Sequence, residues 1–137
     1  MAVALGLGAA IGLERQIHHH SAGFRTFVLT CLSSTLAMLV SIYVCQTNTD
    51  LLNGDPGRIA AQVLTGIGFI GAGLIIKGSD GVSGLTTAAC IFFTAVIGLA
   101  VGTGMLLLSA IITAVVIIIL WMPYFKEFMN NRRANRQ

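Results

Sequence analysis

Asp55–Gly73 reads DPGRIAAQVLTGIGFIGAG. It opens as a helix opens. Asp55 offers a carboxylate to the unpaired N–H groups of a first turn, and Pro56 suits that turn because it has no N–H to lose. Beyond Arg58 the stretch carries no charge, and its apolar character runs from Ile59 to Ile76. At about 1.5 Å per residue such a run is close to the roughly 20 residues that cross a bilayer. Arg58 and Gln62 are four residues apart and share one helix face. An amide in lipid needs a hydrogen-bond partner, so this face is expected to turn inward. There the pair either lines a polar cleft or joins two helices. Gly66-Ile67-Gly68-Phe69-Ile70-Gly71 matches the spacing G-x-G-x-x-G. A dinucleotide site needs a strand before these glycines and a helix that opens on them. Here they sit inside an apolar span, so Gly66, Gly68, Gly71 and Gly73 read as places where another backbone comes close or the helix bends.

Four more apolar stretches flank this one: Met1–Leu13, closed by Glu14 and Arg15, then Thr26–Cys45, Leu85–Val101 and Met105–Trp121. The last two could form one helix only if it ran about 55 Å, nearly twice the hydrocarbon thickness. Gly102-Thr103-Gly104 supplies the turn that divides them. Of the 137 residues, 55% are hydrophobic and 9% charged, against about 25% charged in a soluble domain. Too few charges remain to cover a water-facing surface, and the mean hydropathy of +0.87 agrees. The expected fold is an all-α membrane protein: a bundle of about five transmembrane helices over residues 1–125, then a short basic cytoplasmic tail at 126–137. The first helix is short, and its start lacks the basic region of a signal peptide. With five spans, seven of the eight basic residues (Arg15, Arg25, Lys77, Lys126, Arg132, Arg133, Arg136) share one side, and Arg58 is on the other. The excess of basic residues marks the cytoplasmic side, which puts the N-terminus outside and the C-terminus inside. The net charge of +3 is concentrated in the tail, which suits anionic lipid better than nucleic acid.

Small residues recur at helical spacing. Ala4, Gly8 and Gly12 form one ladder, and Thr86, Cys90, Thr94, Gly98 and Gly102 form another. Thr26, Thr30, Ser33, Ala37 and Ser41 trace a third stripe. These are seams for helix packing, and they also suit self-association, with a dimer expected through Thr94, Gly98 and Gly102 and through the glycine-dense third helix. Charges deep in lipid are costly, so Glu14 is expected to pair with Arg25 across the first loop. Lys77–Gly81 reads as a turn, with Ser83 placed to cap the fourth helix. His18, His19 and His20 point in different directions on a helix and read as a solvated loop, not a metal site. Cys31, Cys45 and Cys90 are widely spaced and read as small apolar side chains. No residue set has the spacing of a catalytic or metal site, and no cofactor is expected. The candidate polar cleft comprises Glu14, Arg15, Arg25, Asp55, Arg58, Gln62, Thr86 and Thr87.

Gly12-Leu13-Glu14-Arg15, Ala22-Gly23-Phe24-Arg25-Thr26, Asp55–Gln62 with Gly66–Gly73, and Gly84–Ala89 with Gly98 stand in order along the chain. Together they resemble the MgtC/SapB family of bacterial inner-membrane proteins. Gln16 stands where the family usually has an acidic residue, and Phe92 where it often has Trp. The first departure puts a charge relay at that loop in doubt. The resemblance is to the short, SapB-like members without a cytoplasmic domain after the last helix. It implies a non-enzymatic protein of the bacterial cytoplasmic membrane, tied to growth in low magnesium, virulence and restraint of the F-type ATP synthase. The implied partners are the lipid bilayer, a second copy of the chain and another membrane protein such as that synthase. The competing expectation is a small oligomeric transporter or channel, with Arg58, Gln62 and the Thr/Gly faces as its pathway. Few acidic residues lie at membrane depth, which argues against a dehydrated divalent-cation site.

Overall fold

The computed structural model describes residues 1–47, 55–79 and 81–134, with side chains described as far as Met122. Among these, five helices follow in order: α1 (Ala2–Ile17), α2 (Phe24–Thr47), α3 (Gly57–Leu74), α4 (Leu85–Gly102) and α5 (Leu106–Ala134). The expected break between α4 and α5 is there, at Thr103 and a left-handed Gly104 (φ 88°). Three elements depart from the sequence expectation. First, α1 does not end at Glu14-Arg15 but continues to Ile17, where a Schellman motif stops it. His19 takes the left-handed position (φ 54°), and the N–H groups of His19 and His20 donate to the carbonyls of Gln16 and Arg15. Second, α5 runs past Pro123, although proline lacks the N–H that a helix interior uses. Third, the expected turn at Lys77–Gly81 is a hairpin, β1 (Ile76–Gly78) against β2 (Gly81–Ser83), so the fold is helical with one small antiparallel sheet.

Ser83 therefore does not cap α4. Its hydroxyl donates across the hairpin to the carbonyl of Ile76 at 3.4 Å. Gly84 occupies the cap position with φ 86°. A Cβ there would stand 1.9 Å from the carbonyl oxygen of Leu74, so only glycine satisfies both the left-handed backbone and the close approach of α3.

Helix α4 is the centre of the bundle: ten of its 18 residues are buried, and it packs against α1, α2, α3 and α5. The small-residue ladders explain how close the neighbours come. A Cβ on Gly98 would lie 2.4 Å from the carbonyl oxygen of Cys31, and one on Gly102 2.6 Å from Cβ of Met38. Helices α2 and α4 thus run parallel in near-backbone contact. Thr35 fastens the seam, its hydroxyl lying 2.9 Å from the carbonyl of Cys31 and 2.8 Å from that of Gly98. On the other side of α2, a Cβ on Gly8 would come 2.9 Å from Cβ of Cys31, and one on Gly12 2.8 Å from Cα of Phe24. The ladder of Thr94, Gly98 and Gly102, expected to join two copies, is consumed inside one chain. The buried polar line on α2 is also shifted, to Thr30, Ser34, Thr35 and Ser41, leaving Thr26 and Ser33 exposed.

Helix α3 is the least enclosed. Ile67 and Gly71 are its buried residues, and a Cβ on Gly71 would meet Ala88 of α4 at an ordinary 3.7 Å. Gly66, Gly68 and Gly73 face open space, with nothing within 4 Å of where a Cβ would stand. Phe69 is 84% exposed and Leu107 on α5 77% exposed. An outer surface so apolar is suited to lipid. Among the described residues α2, α3 and α4 are long and apolar enough to cross a membrane, while the apolar part of α5, Leu106–Met122, is shorter. The molecule is a membrane protein by these features.

Candidate functional site

The eight polar candidates do not form one cleft. Helix α1 runs antiparallel to α2 and α3 antiparallel to α4, so the first loop and the hairpin lie at one end of the bundle and Asp55 at the other. Asp55, Arg58 and Gln62 belong to the second end. They line an open cleft of about 330 Å³ together with Ser41, Val44, Cys45 and Ile59. The start of α3 builds it. One Asp55 carboxylate oxygen accepts the N–H of Gly57 at 2.8 Å, so Asp55 serves the helix start from one residue outside it, with Pro56 at the cap position. The Ser41 hydroxyl donates to the carbonyl of Pro56 at 2.8 Å and ties the end of α2 to the start of α3. Arg58 and Gln62, one turn apart, are exposed in this cleft. Asp55 and Arg58, three residues apart, form no ion pair with each other. Residues 48–54 lie outside the described residues.

The other end holds Glu14 and Arg15. They are 6% and 2% exposed. The guanidinium pairs with the neighbouring carboxylate in a fork: Nε on Oε2, and Nη2 on Oε1 at 2.8 Å. His18 joins them, with Nδ1 at 2.9 Å from the Glu14 carbonyl and 3.3 Å from Glu14 Oε1. The expected Glu14–Arg25 pair is therefore replaced by Glu14–Arg15. The extra turn of α1 carries both side chains into the bundle, while Arg25 is exposed on α2. Burial and the nearby Arg15 guanidinium push His20 below the usual histidine value, which keeps it neutral at pH 7. Thr87 is buried at the start of α4, and Thr86 faces a separate, apolar crevice of about 390 Å³ between α4 and α5, lined also by Phe93, Val116 and Leu120.

Ser41 and His18 went unselected as candidates although both serve these sites. Ser41 lies on the small-residue stripe of α2, and its distance in sequence from Pro56 hid the contact. His18 is four residues after Glu14, a spacing that brings the two together once α1 is seen to continue. Ser34, 1% exposed, has a hydroxyl without a hydrogen-bond partner among the described residues.

A helical membrane bundle with a charged cleft at one end and a buried ion pair at the other is the class that fold and site define. Within it, the chain belongs to the MgtC family, whose family model matches residues 1–128. The chain is 51% identical over 98 residues to the Escherichia coli K12 protein YhiD, described as a candidate magnesium transporter, which covers 70% of this chain and 46% of that protein. It is 39% identical over 119 residues to the protein MgtC of Brucella suis (85% and 47% covered). It is 39% identical over 107 residues to the protein SapB of Bacillus subtilis (76% and 46% covered). The chain spans about half the length of these curated relatives. No solved structure matches it.

Proposed function

We propose that this chain is a regulatory protein of the bacterial cytoplasmic membrane, serving growth under magnesium limitation and energy homeostasis, and that Asp55, Arg58 and Gln62 are its working site. The cleft carries this reading. Its one carboxylate already accepts the Gly57 N–H, and an arginine stands beside it. Magnesium demands octahedral oxygen ligands, and a neighbouring guanidinium opposes any cation there. The site thus fits recognition of a partner or ligand better than passage of Mg²⁺. In cells limited for magnesium, Arg58→Ala and Gln62→Leu are expected to insert normally yet fail to restore growth, because both side chains are exposed and support no core. Arg58→Lys keeps the charge and loses the planar fork, so partial rescue assigns a charge role. Liposomes holding the purified protein are expected to show no Mg²⁺ flux above empty vesicles. Wild-type growth with both Arg58→Ala and Gln62→Leu, or protein-dependent Mg²⁺ flux, would overturn the proposal.

The orientation that accompanies it has five helices crossing, with the N-terminus outside and the tail inside. The support is the concentration of basic residues at one end of the bundle. Impermeant reagents on intact cells are expected to label a cysteine placed at the N-terminus and spare one placed at Asn135. The reverse pattern would invert the topology. Self-association is part of the same proposal and rests on the open glycine face of α3, since Gly98 and Gly102 are occupied within the chain. A partner membrane protein such as the F-type ATP synthase remains part of the reading through the family resemblance.

A further inference from the structure

We propose that the cleft between α2 and α3 binds the zwitterionic head group of a phospholipid of the phosphoethanolamine type. This rests on the reading of that cleft as the working site. Its chemistry comes in two opposite halves. Arg58 presents a guanidinium, whose planar fork matches two phosphate oxygens. Asp55 presents a carboxylate with one oxygen taken by the Gly57 N–H at 2.8 Å and the other without a partner among the described residues. The two charges line the same cleft of about 330 Å³ without pairing to each other. That volume is at the small end of ligand sites, which run to roughly 300–1,000 Å³. A pure anion would be repelled by Asp55 and a pure cation by Arg58, whereas a phosphate joined to an ammonium satisfies both. A primary ammonium donates hydrogen bonds to Asp55 and to the Gln62 amide oxygen. A quaternary one has no N–H to donate.

Position favours a lipid source over a free molecule. The cleft stands where α2 ends and α3 begins, the level at which a spanning bundle meets head groups. Val44 and Ile59 form its apolar walls, and Tyr43 beside them is 66% exposed, as aromatic residues are at membrane interfaces.

The test uses the whole chain in detergent micelles, with retained lipid quantified after exchange against equimolar phosphatidylethanolamine, phosphatidylcholine and phosphatidylglycerol. Phosphatidylethanolamine is expected to be retained about tenfold over each of the others, the discrimination of one charge-assisted hydrogen bond. Arg58→Ala and Asp55→Asn are each expected to lose that preference while eluting as folded protein. Equal retention of the three lipids overturns the proposal, and so does preference for phosphatidylglycerol, the mark of a simple anion site. Displacement by free phosphoethanolamine at the lipid's own concentration would assign the chemistry to a soluble ligand and overturn the lipid source. Unchanged retention in Arg58→Ala with growth lost in low magnesium would remove the head group and leave the working site standing. Lost preference with wild-type growth in that variant would do the opposite.

Discussion

Arg15→Ala is expected to destabilise the bundle by about 3–5 kcal/mol, because it strands Glu14 as an unpaired buried charge. Glu14 is 6% exposed, and its carboxylate receives both N–H bonds of the guanidinium fork. His18 is left as its neighbour, at 3.3 Å from Oε1. The double variant Glu14→Leu/Arg15→Met removes both charges at similar volume and is expected to recover most of the stability, as apolar replacements of buried pairs do elsewhere. Arg25→Ala, at an exposed position, should stay close to wild type. Unfolding midpoints in mixed detergent compare the three variants with wild type. If Arg15→Ala unfolds at the midpoint of Arg25→Ala, the ion pair is not structural.

Gly98→Leu is expected to cost about 3 kcal/mol, the upper end for overpacking, and to do so within a single chain. Its Cβ would stand 2.4 Å from the carbonyl oxygen of Cys31 and 2.9 Å from Cβ of Ser34. Neither neighbour is the free end of a flexible side chain, so α2 and α4 must separate. Separation also lengthens the bond from Thr35 to the Gly98 carbonyl, now 2.8 Å. Gly66→Leu meets open space and should fold as well as wild type, gaining helix propensity. If α3 is where two copies meet, Gly66→Leu reduces chemical crosslinking while its melting curve is unchanged. A wild-type melt for Gly98→Leu would refute the α2–α4 seam, and undiminished crosslinking for Gly66→Leu would remove α3 as the contact face.

The helices were legible because lipid leaves so little choice. A run of apolar residues with no charge must satisfy its own backbone, and only a helix does so in one segment. Asp55, Arg58 and Gln62 were legible as a group because helical spacing alone sets them side by side. The partners of the charges at the other end were not. Glu14 and Arg15 were read as the stop of α1, since charge usually marks the end of a span, yet the stop is written two residues later in the backbone of His19 and His20. The ladders of Gly8 and Gly12 and of Gly98 and Gly102 are seams, and both are filled within one chain. Periodicity names the face of a helix that is narrow, but what fills it depends on which helices the loops bring together. Gly66, Gly68 and Gly73 were read as the same kind of close-approach residue, yet among the described residues nothing outside their own helix turn lies within 4 Å of where a Cβ would stand.

The hairpin at Ile76–Ser83 acts as a waterline. Each of its two strands has an outer edge of N–H and C=O groups that the other strand does not reach, and hydrocarbon offers them nothing. It must sit among head groups or in water, and it is joined to the end of α3 through Ile75 alone. Arg58 marks the opposite surface at the other end of the same helix. The 18 residues of α3 set the distance between these two levels at about 27 Å, somewhat less than a typical hydrocarbon core of about 30 Å. With open strands below and a charged cleft above, the bundle cannot sink or tilt far to absorb that difference. A helix this short is matched by local thinning of the bilayer, by flanking side chains that reach to the interface, or by association with another membrane helix.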